Sequence, residues 1–162
     1  MNFKQIAVVA ALALSSTGAL ADIFNVNVIN GTASFNHSNV VAGELQDVWN
    51  FNIAGLVTAD GILSNFSFRP NQDIDFGVVT LNGAGLTVTN TVDAGGNLSL
   101  AKLFPANFVG PLQLVVNFTS GGNGSYSGNI NVTAVPEPET YALMLAGLGL
   151  VGFMARRRKA AV

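Results

Sequence analysis

Few residues in this 162-residue chain are equipped for chemistry. It has no cysteine, which excludes thiol nucleophiles, disulfides and thiolate metal sites. The one histidine, His37, lies in a stretch rich in Asn and Ser and reads as a surface loop residue. Nothing in the spacing gathers a serine and an aspartate around it as a catalytic triad, and a histidine-based metal site is excluded by count. Asp73-x-Asp75 points two carboxylates from one face of a strand or its lead-in, and such a pair can hold Ca²⁺ or do acid–base work on a sugar. The plainer reading is a solvated pair opening a strand after the Arg69-Pro70 turn, near Arg69. A calcium loop has denser oxygen ligands and a fixed glycine, both absent here. Asp60-Gly61 reads as a turn. Gly121-Gly122 lacks the lysine and following helix of a phosphate loop and reads as a hairpin turn. Asn-x-Ser/Thr triplets at Asn30, Asn36, Asn65, Asn97, Asn117, Asn123 and Asn131 are acceptor sequons only where a host glycosylates them, and a chain this rich in Asn, Ser and Thr produces them by chance. No catalytic residue, metal ligand or cofactor is assigned, and the expectation is a protein that is not an enzyme.

The charge pattern narrows the partners. Between residues 22 and 134 the cations are Arg69 and Lys102, against Asp22, Glu44, Asp47, Asp60, Asp73, Asp75 and Asp93. A body five charges negative has no footprint for nucleic acid or anionic lipid. Its surface must be mostly Asn, Ser, Thr and Gly, which suits neutral hydrogen bonding, including to polysaccharide.

The elements that carry these residues are short strands. Ile23–Asn30 alternates, with Phe24, Val26 and Val28 on one side. Asn30-Gly31 is a turn signal. Ala33–Asn36 begins a short strand that Val40 and Val41 continue after a break. Leu45–Val57 puts Leu45, Asp47, Trp49, Phe51 and Ile53 on one face. Ile62–Phe68 aligns Ile62, Phe66 and Phe68, and Ile74–Leu81 aligns Phe76, Val78 and Thr80. Asn82-Gly83 predicts a hairpin into Leu86–Val92. Leu98–Leu103 is a strand, Pro105–Pro111 a linker or wide loop, and Leu112, Leu114, Val116 and Phe118 alternate in another strand. Tyr126–Val132 is the last. Strands about every ten residues, with Gly and Asn between them and no helical period in the body, predict an all-β, antiparallel sandwich or a related barrel.

The two ends are not body. Met1–Ala21 reads as a secretory signal: Lys4 supplies the positive end, Ile6–Leu14 the apolar core, and Ala19-Leu20-Ala21 the small-x-small cleavage site, giving a mature start at Asp22. That implies Sec export and signal peptidase as partners. At the other end, Val135-Pro136-Glu137-Pro138 is a stiff breaker, because two prolines remove two donors and fix φ. Tyr141–Ala155 carries no charge and has glycines at 147, 149 and 152, which membrane helices tolerate. Arg156-Arg157-Arg158-Lys159 is a basic stop that marks the cytoplasmic side. A spanning helix wants about 20 apolar residues, and this run is short for a permanent anchor. Physics alone predicts a temporary membrane tether with its basic end inside.

Pro136-Glu137-Pro138, a short hydrophobic helix and an Arg cluster, in that order over 135–159, resemble the PEP-CTERM sorting signal of Gram-negative bacteria. The resemblance implies processing near the Pro-Glu-Pro by a membrane-embedded exosortase, transient residence in the inner membrane, and release or attachment of residues 22–134 at the cell envelope, the cell surface or in extracellular, biofilm-type polymer. It further implies a structural or adhesive role. The alternative is a carbohydrate-binding module, which needs an exposed aromatic platform on one sheet face, and behind both is a secreted hydrolase, which needs convergent acids in a cleft, with only Asp73 and Asp75 as candidates. Leu45-x-Asp47-x-Trp49 is similar to the FxDxF element of a subgroup, with Leu45 and Trp49 where that element has Phe. Asp47 stands on an apolar face beside the only tryptophan. An unpaired buried charge is costly, so Asp47 must be hydrogen-bonded, near the strand's end, or protonated.

Overall fold

The computed structural model describes residues 20–93, 95–136 and 138–159. Met1–Ala19, including Ala19 of the cleavage site, and Glu137 of the Pro-Glu-Pro lie outside the described residues. The elements in order are β1 (Leu20–Val26), β2 (Thr32–Val40), β3 (Glu44–Phe51), β4 (Leu56–Ser67), β5 (Ile74–Leu81), β6 (Ala84–Gly85), β7 (Thr87–Asp93), β8 (Gly96–Val109), β9 (Leu112–Ser120), β10 (Gly124–Ala134) and α1 (Pro138–Lys159), with a 3-10 turn at Pro70–Gln72. Ala21, the other residue of the cleavage signal, sits in β1, so a mature start at Asp22 keeps most of that strand.

The strands form two five-stranded sheets, ordered β1-β3-β9-β5-β6 and β2-β10-β4-β8-β7. Pairing is antiparallel throughout except for β1 beside β3. Neither sheet closes on itself, so the sandwich expectation stands and the barrel alternative does not. Trp49, Phe51, Leu112, Leu114, Val116 and Phe118 of the first sheet pack with Phe35, Val57, Leu63, Ala101, Tyr126 and Ile130 of the second in one core. The Val, Leu, Ile and Phe side chains among them each stabilise by about 1.5–3 kcal/mol through burial. The strict alternation of β9, with Leu112, Leu114, Val116 and Phe118 inward, follows its sequence directly.

Several local expectations are corrected. Asp60-Gly61 is no turn: β4 runs straight through it. Ala59 pairs with Ala106 and Gly61 with Leu103, so Phe104 and Pro105 together oppose Asp60 in a β-bulge. A bulge is where a strand tolerates a proline that has no N–H to give, and β8 therefore continues through the expected Pro105 linker to Val109. The Leu45–Val57 strand instead ends at Phe51, and the chain bends at Gly55, φ +81°, before β4. The expected break after Asn36 is absent, because β2 is continuous from Thr32 to Val40. In β5 a second bulge sets Gly77 and Val78 against one residue of β9, which turns Val78 outward and Val79 inward. Ile62, Phe66 and Phe68 do align, but on the outer face; Leu63, Asn65 and Ser67 point into the sandwich. The Asn-Gly signals hold: Asn30 (φ +51°) and Gly31 (φ +80°), like Asn82 (φ +46°) and Gly83 (φ +82°), both adopt the left-handed pair of a tight hairpin. After Asn82-Gly83 the returning strand is only β6, and the chain then crosses to the other sheet as β7.

Candidate functional site

A polar cluster sits where the β1–β3 edge of one sheet meets β2 of the other. β3 brings Glu44 and Asp47, 3% and 0% exposed, β2 brings His37, and β1 brings the exposed Asp22. His37 is therefore not a loop residue. Its Nδ1 is 2.8 Å from Asp47 Oδ2 and 3.6 Å from Glu44 Oε1, and its Nε2 is 3.8 Å from Asp22 Oδ2. A neutral imidazole bonded this way gives Nδ1–H to Asp47 and keeps its lone pair on Nε2. Trp49 Nε1–H donates to the Tyr126 hydroxyl at 2.8 Å, and that hydroxyl donates in turn to Asp47 Oδ2. Asp47 is thus buried and hydrogen-bonded, the first of the alternatives open to it.

Two oxygens in this cluster remain buried without a hydrogen-bond partner, Glu44 Oε1 and Asp47 Oδ1. Glu44 Oε2 accepts from the Val41 N–H at 3.2 Å. Burial pushes the Glu44 carboxyl above its usual range; the Val41 N–H and His37 oppose this, and the neighbouring Asp47 and Asp22 add to it. Burial, and then Asp47, hold the Tyr126 hydroxyl far above the ordinary phenol range. One ligand atom each from Asp22, His37 and Glu44 lie within 4.8 Å of one another. Sequence reading missed Glu44 and Tyr126. The signal that pointed to them was Asp47 on an apolar face, which needed polar partners from elsewhere in the fold.

The other candidates are dispersed. Asp73 accepts from Ser67 Oγ at 3.0 Å and from Asn97 Nδ2 at 2.6 Å, and Asp75 from Ser99 Oγ at 3.3 Å. Asp73, just ahead of β5, and Asp75, within it, bond side chains of β4 and β8 rather than converging on a cleft. Asp60 accepts from Asn131 Nδ2 at 2.9 Å. Asn65, one of the sequon asparagines, is 2% exposed and bonds the Ser125 carbonyl and the Ile74 N–H. On the outer face a shallow trough of about 440 Å³ is lined by Ser34, Asn36, Ile62, Ser64, Ser127 and Asn129. The exposed Phe66 and Phe68 meet edge to face, with ring centres 4.8 Å apart, and do not form a flat row.

The tail stands apart from this core. Val135 N–H still bonds the Leu56 carbonyl at 2.9 Å, and Pro136 follows outside the strands. Residues 139–157 of α1 are all exposed, and Gly147, Gly149 and Gly152 have open space around them. The Arg157 guanidinium lies 6.0 Å from the Phe153 ring centre. Residues 134–159 match the family model described as the PEP-CTERM protein-sorting motif.

The chain carries a PEP-CTERM sorting motif. The match includes Pro136, Glu137 and Pro138 and the basic stop Arg156, Arg157, Arg158 and Lys159. The motif implies exosortase as processing partner and an exported protein. Among the described residues no helix is long and apolar enough to cross a membrane. The physical reason is length. The sixteen uncharged residues Thr140–Ala155 rise about 24 Å at ~1.5 Å each, short of a hydrocarbon core of ~30 Å.

No curated protein matches the chain. Among solved structures, it is similar to the pre-peptidase C-terminal domain of a collagenase from Bacillus anthracis, at 15% identity over 74% of this chain and 100% of that one, TM-score 0.33. It is also similar to PliG of Salmonella Typhimurium, a periplasmic lysozyme inhibitor, at 15% identity over 67% of this chain and 98% of that one, TM-score 0.31. A third is a β-glucosidase from Paenibacillus barengoltzii, at 18% identity over 71% of this chain and 12% of that one, TM-score 0.30.

Proposed function

We propose that this is an exported envelope or extracellular-matrix protein of a Gram-negative bacterium whose sandwich is a structural or adhesive, non-catalytic body. Export runs through Sec and signal peptidase, the tail enters the inner membrane transiently, and exosortase processes it near Pro136-Glu137-Pro138. The PEP-CTERM motif carries this reading. Its helix is exposed along 139–157, so a membrane enzyme can take the tail without unfolding the sandwich. A helix too short to span comfortably must thin the bilayer or rely on snorkelling arginines, which suits a transient tether better than an anchor. The non-catalytic reading is supported by Asp73, whose two oxygens accept from Ser67 and Asn97, and by Asp75, one of whose oxygens accepts from Ser99.

The test is fractionation of cells that express the protein with an epitope in its body, with and without exosortase. The sandwich should reach the surface or medium only with exosortase and should stay in the inner membrane when Pro136 and Pro138 are replaced by alanine. Normal release without exosortase would contradict the proposal.

A second reading, binding of a neutral polysaccharide, is favoured by the trough lined with Ser34, Asn36, Ser64, Ser127 and Asn129. Its hydroxyls and amides match sugar hydroxyls, and Ile62 supplies an apolar floor. Affinity electrophoresis in gels containing the organism's own polymer should show retardation that Asn36→Ala with Ile62→Ala abolishes. Equal mobility of the original protein with and without polymer would remove this reading.

A further inference from the structure

We propose that Asp22, His37 and Glu44 form a binding site for a divalent first-row transition cation of zinc-like preference, with Asp47 positioning the imidazole from behind. The cluster brings three carboxylates to one imidazole. Arg69 and Lys102 are the body's other cations, and among the described residues neither forms an ion pair with these carboxylates. Glu44 and Asp47 are both buried beside this single imidazole, and buried carboxylates require a partner.

The second observation is the pair of orphaned oxygens. Glu44 is 3% exposed, yet its Oε1 has no hydrogen-bond partner and faces His37 Nδ1 across 3.6 Å. That is too far for a hydrogen bond, and a buried acceptor left unmade costs about 1–3 kcal/mol. Asp47 Oδ1, on a fully buried side chain, is in the same position. Glu44 Oε1 lies on the Nδ1 side of the ring, but one ligand atom each from Asp22, His37 and Glu44 lies within 4.8 Å of the others, so a cation held by Nε2 and Asp22 fills that vacant lone pair once the Glu44 carboxylate turns toward it.

The histidine is already in a ligand's posture. Nδ1 stands 2.8 Å from Asp47 Oδ2, and the tautomer that donates Nδ1–H to this carboxylate fixes the ring and leaves the Nε2 lone pair toward Asp22. A carboxylate behind a metal-binding imidazole is the usual way its tautomer and orientation are set. The 3.8 Å from Nε2 to Asp22 Oδ2 is long for a hydrogen bond, but two ligands around a tetrahedral zinc stand about 3.4 Å apart at bond lengths near 2.0–2.1 Å. Asp22 is exposed and on an edge strand, so it can close that difference. One histidine suffices here because carboxylates supply the other ligands. That nitrogen favours zinc-like ions over calcium or magnesium, which prefer oxygen alone. The remaining coordination position is open to water or to a ligand from a partner.

The site is independent of how the tail is sorted. The protein is purified on a tag without histidines, stripped with EDTA, and titrated with ZnCl₂ by calorimetry, with CaCl₂ and MgCl₂ in parallel. One equivalent of Zn²⁺ should bind, with thermal stability rising with zinc concentration. Asp22→Asn, an exposed change whose fold is checked by circular dichroism, should weaken binding at least tenfold. Asp47→Asn, which leaves the three ligands in place, should weaken it about 10–100-fold. Co²⁺ should give the visible absorption of a low-coordinate nitrogen–oxygen site, lost in His37→Gln. Absence of zinc binding at millimolar concentration, or equal binding by the original protein and a folded Asp22→Asn, would overturn the site. Saturable binding of Ca²⁺ or Mg²⁺ but not Zn²⁺ would overturn the assignment to a transition ion.

Discussion

Trp49 Nε1–H donates to the hydroxyl of Tyr126 at 2.8 Å, across 77 residues of chain and across the two sheets of the sandwich. The hydroxyl donates in turn to Asp47 Oδ2, so a single oxygen partners an indole and one oxygen of a buried carboxylate at once. Tyr126 is 2% exposed and also meets the rings of Phe76 and Phe118. It is the one place where the body's single tryptophan, a buried acid and both sheets are tied together.

Tyr126→Phe keeps the ring and removes that oxygen. Trp49 Nε1–H and Asp47 each lose a buried partner, at about 1–3 kcal/mol apiece. Urea unfolding followed by Trp49 fluorescence should show a loss of roughly 2–6 kcal/mol at neutral pH. An unchanged midpoint would mean that water replaces the hydroxyl.

The same residue sets an alkaline limit. Burial, and then the Asp47 carboxylate, raise the Tyr126 hydroxyl above its unfolded value, which is about 10. A group raised in the folded state contributes fully below the unfolded value and loses that contribution as pH climbs past it. Stability should therefore fall above pH ~10, and the gap between the original protein and Tyr126→Phe should narrow there. Urea midpoints of both proteins on either side of that pH are the measurement.

Gly128 lies under the Phe35 ring. A Cβ there would come 2.5 Å from Phe35 Cζ, and the ring is held among Trp49 and Phe51. Gly128→Ala should cost about 1–3 kcal/mol by overpacking. Gly85→Ala, with nothing within 4 Å of its Cβ, should be close to neutral in the same thermal melts.

Asn65 joins three strands. Its Nδ2 donates to the Ser125 carbonyl at 2.6 Å on β10, and its Oδ1 accepts the Ile74 N–H at 3.2 Å on β5. Asn65→Ala should lower stability by about 2–4 kcal/mol, since the buried Ile74 N–H and the part-buried Ser125 carbonyl both lose a partner. Peptide mapping should find Asn65 unmodified in any folded, exported form.

What could be read from sequence was what is local. The Asn30-Gly31 and Asn82-Gly83 turns were legible because left-handed backbone is a property of those two residues alone. The β9 alternation was legible because one face is buried along its whole length. Asp60-Gly61 misled because Gly61 answers a distant need: a Cβ there would stand 2.8 Å from the Asn129 carbonyl oxygen of β10. Pro105 misled because a bulge is defined by the partner strand. His37 was misplaced for the same reason. Its partner Asp47 is ten residues away on a strand of the opposite sheet, and no periodicity in the β2 stretch announces that meeting. Asp47 itself was legible as a buried carboxylate in need of partners, but not which residues would supply them.

The tail's independence from the sandwich can be checked without any sorting machinery. Residues 139–157 are exposed, whereas Val135 still bonds Leu56. A chain ending after Pro136 should melt within about 2 °C of one that keeps α1. A larger drop would show that the helix packs on the body.

The most direct measurement is the intact mass of the protein recovered from the cell surface or medium, with terminal peptide mapping. The expected species begins at Asp22, ends close to Pro136-Glu137-Pro138 and yields no peptide from Met144 to Lys159. A surface form that still carries Arg156-Arg157-Arg158-Lys159 would contradict removal of the tail during export.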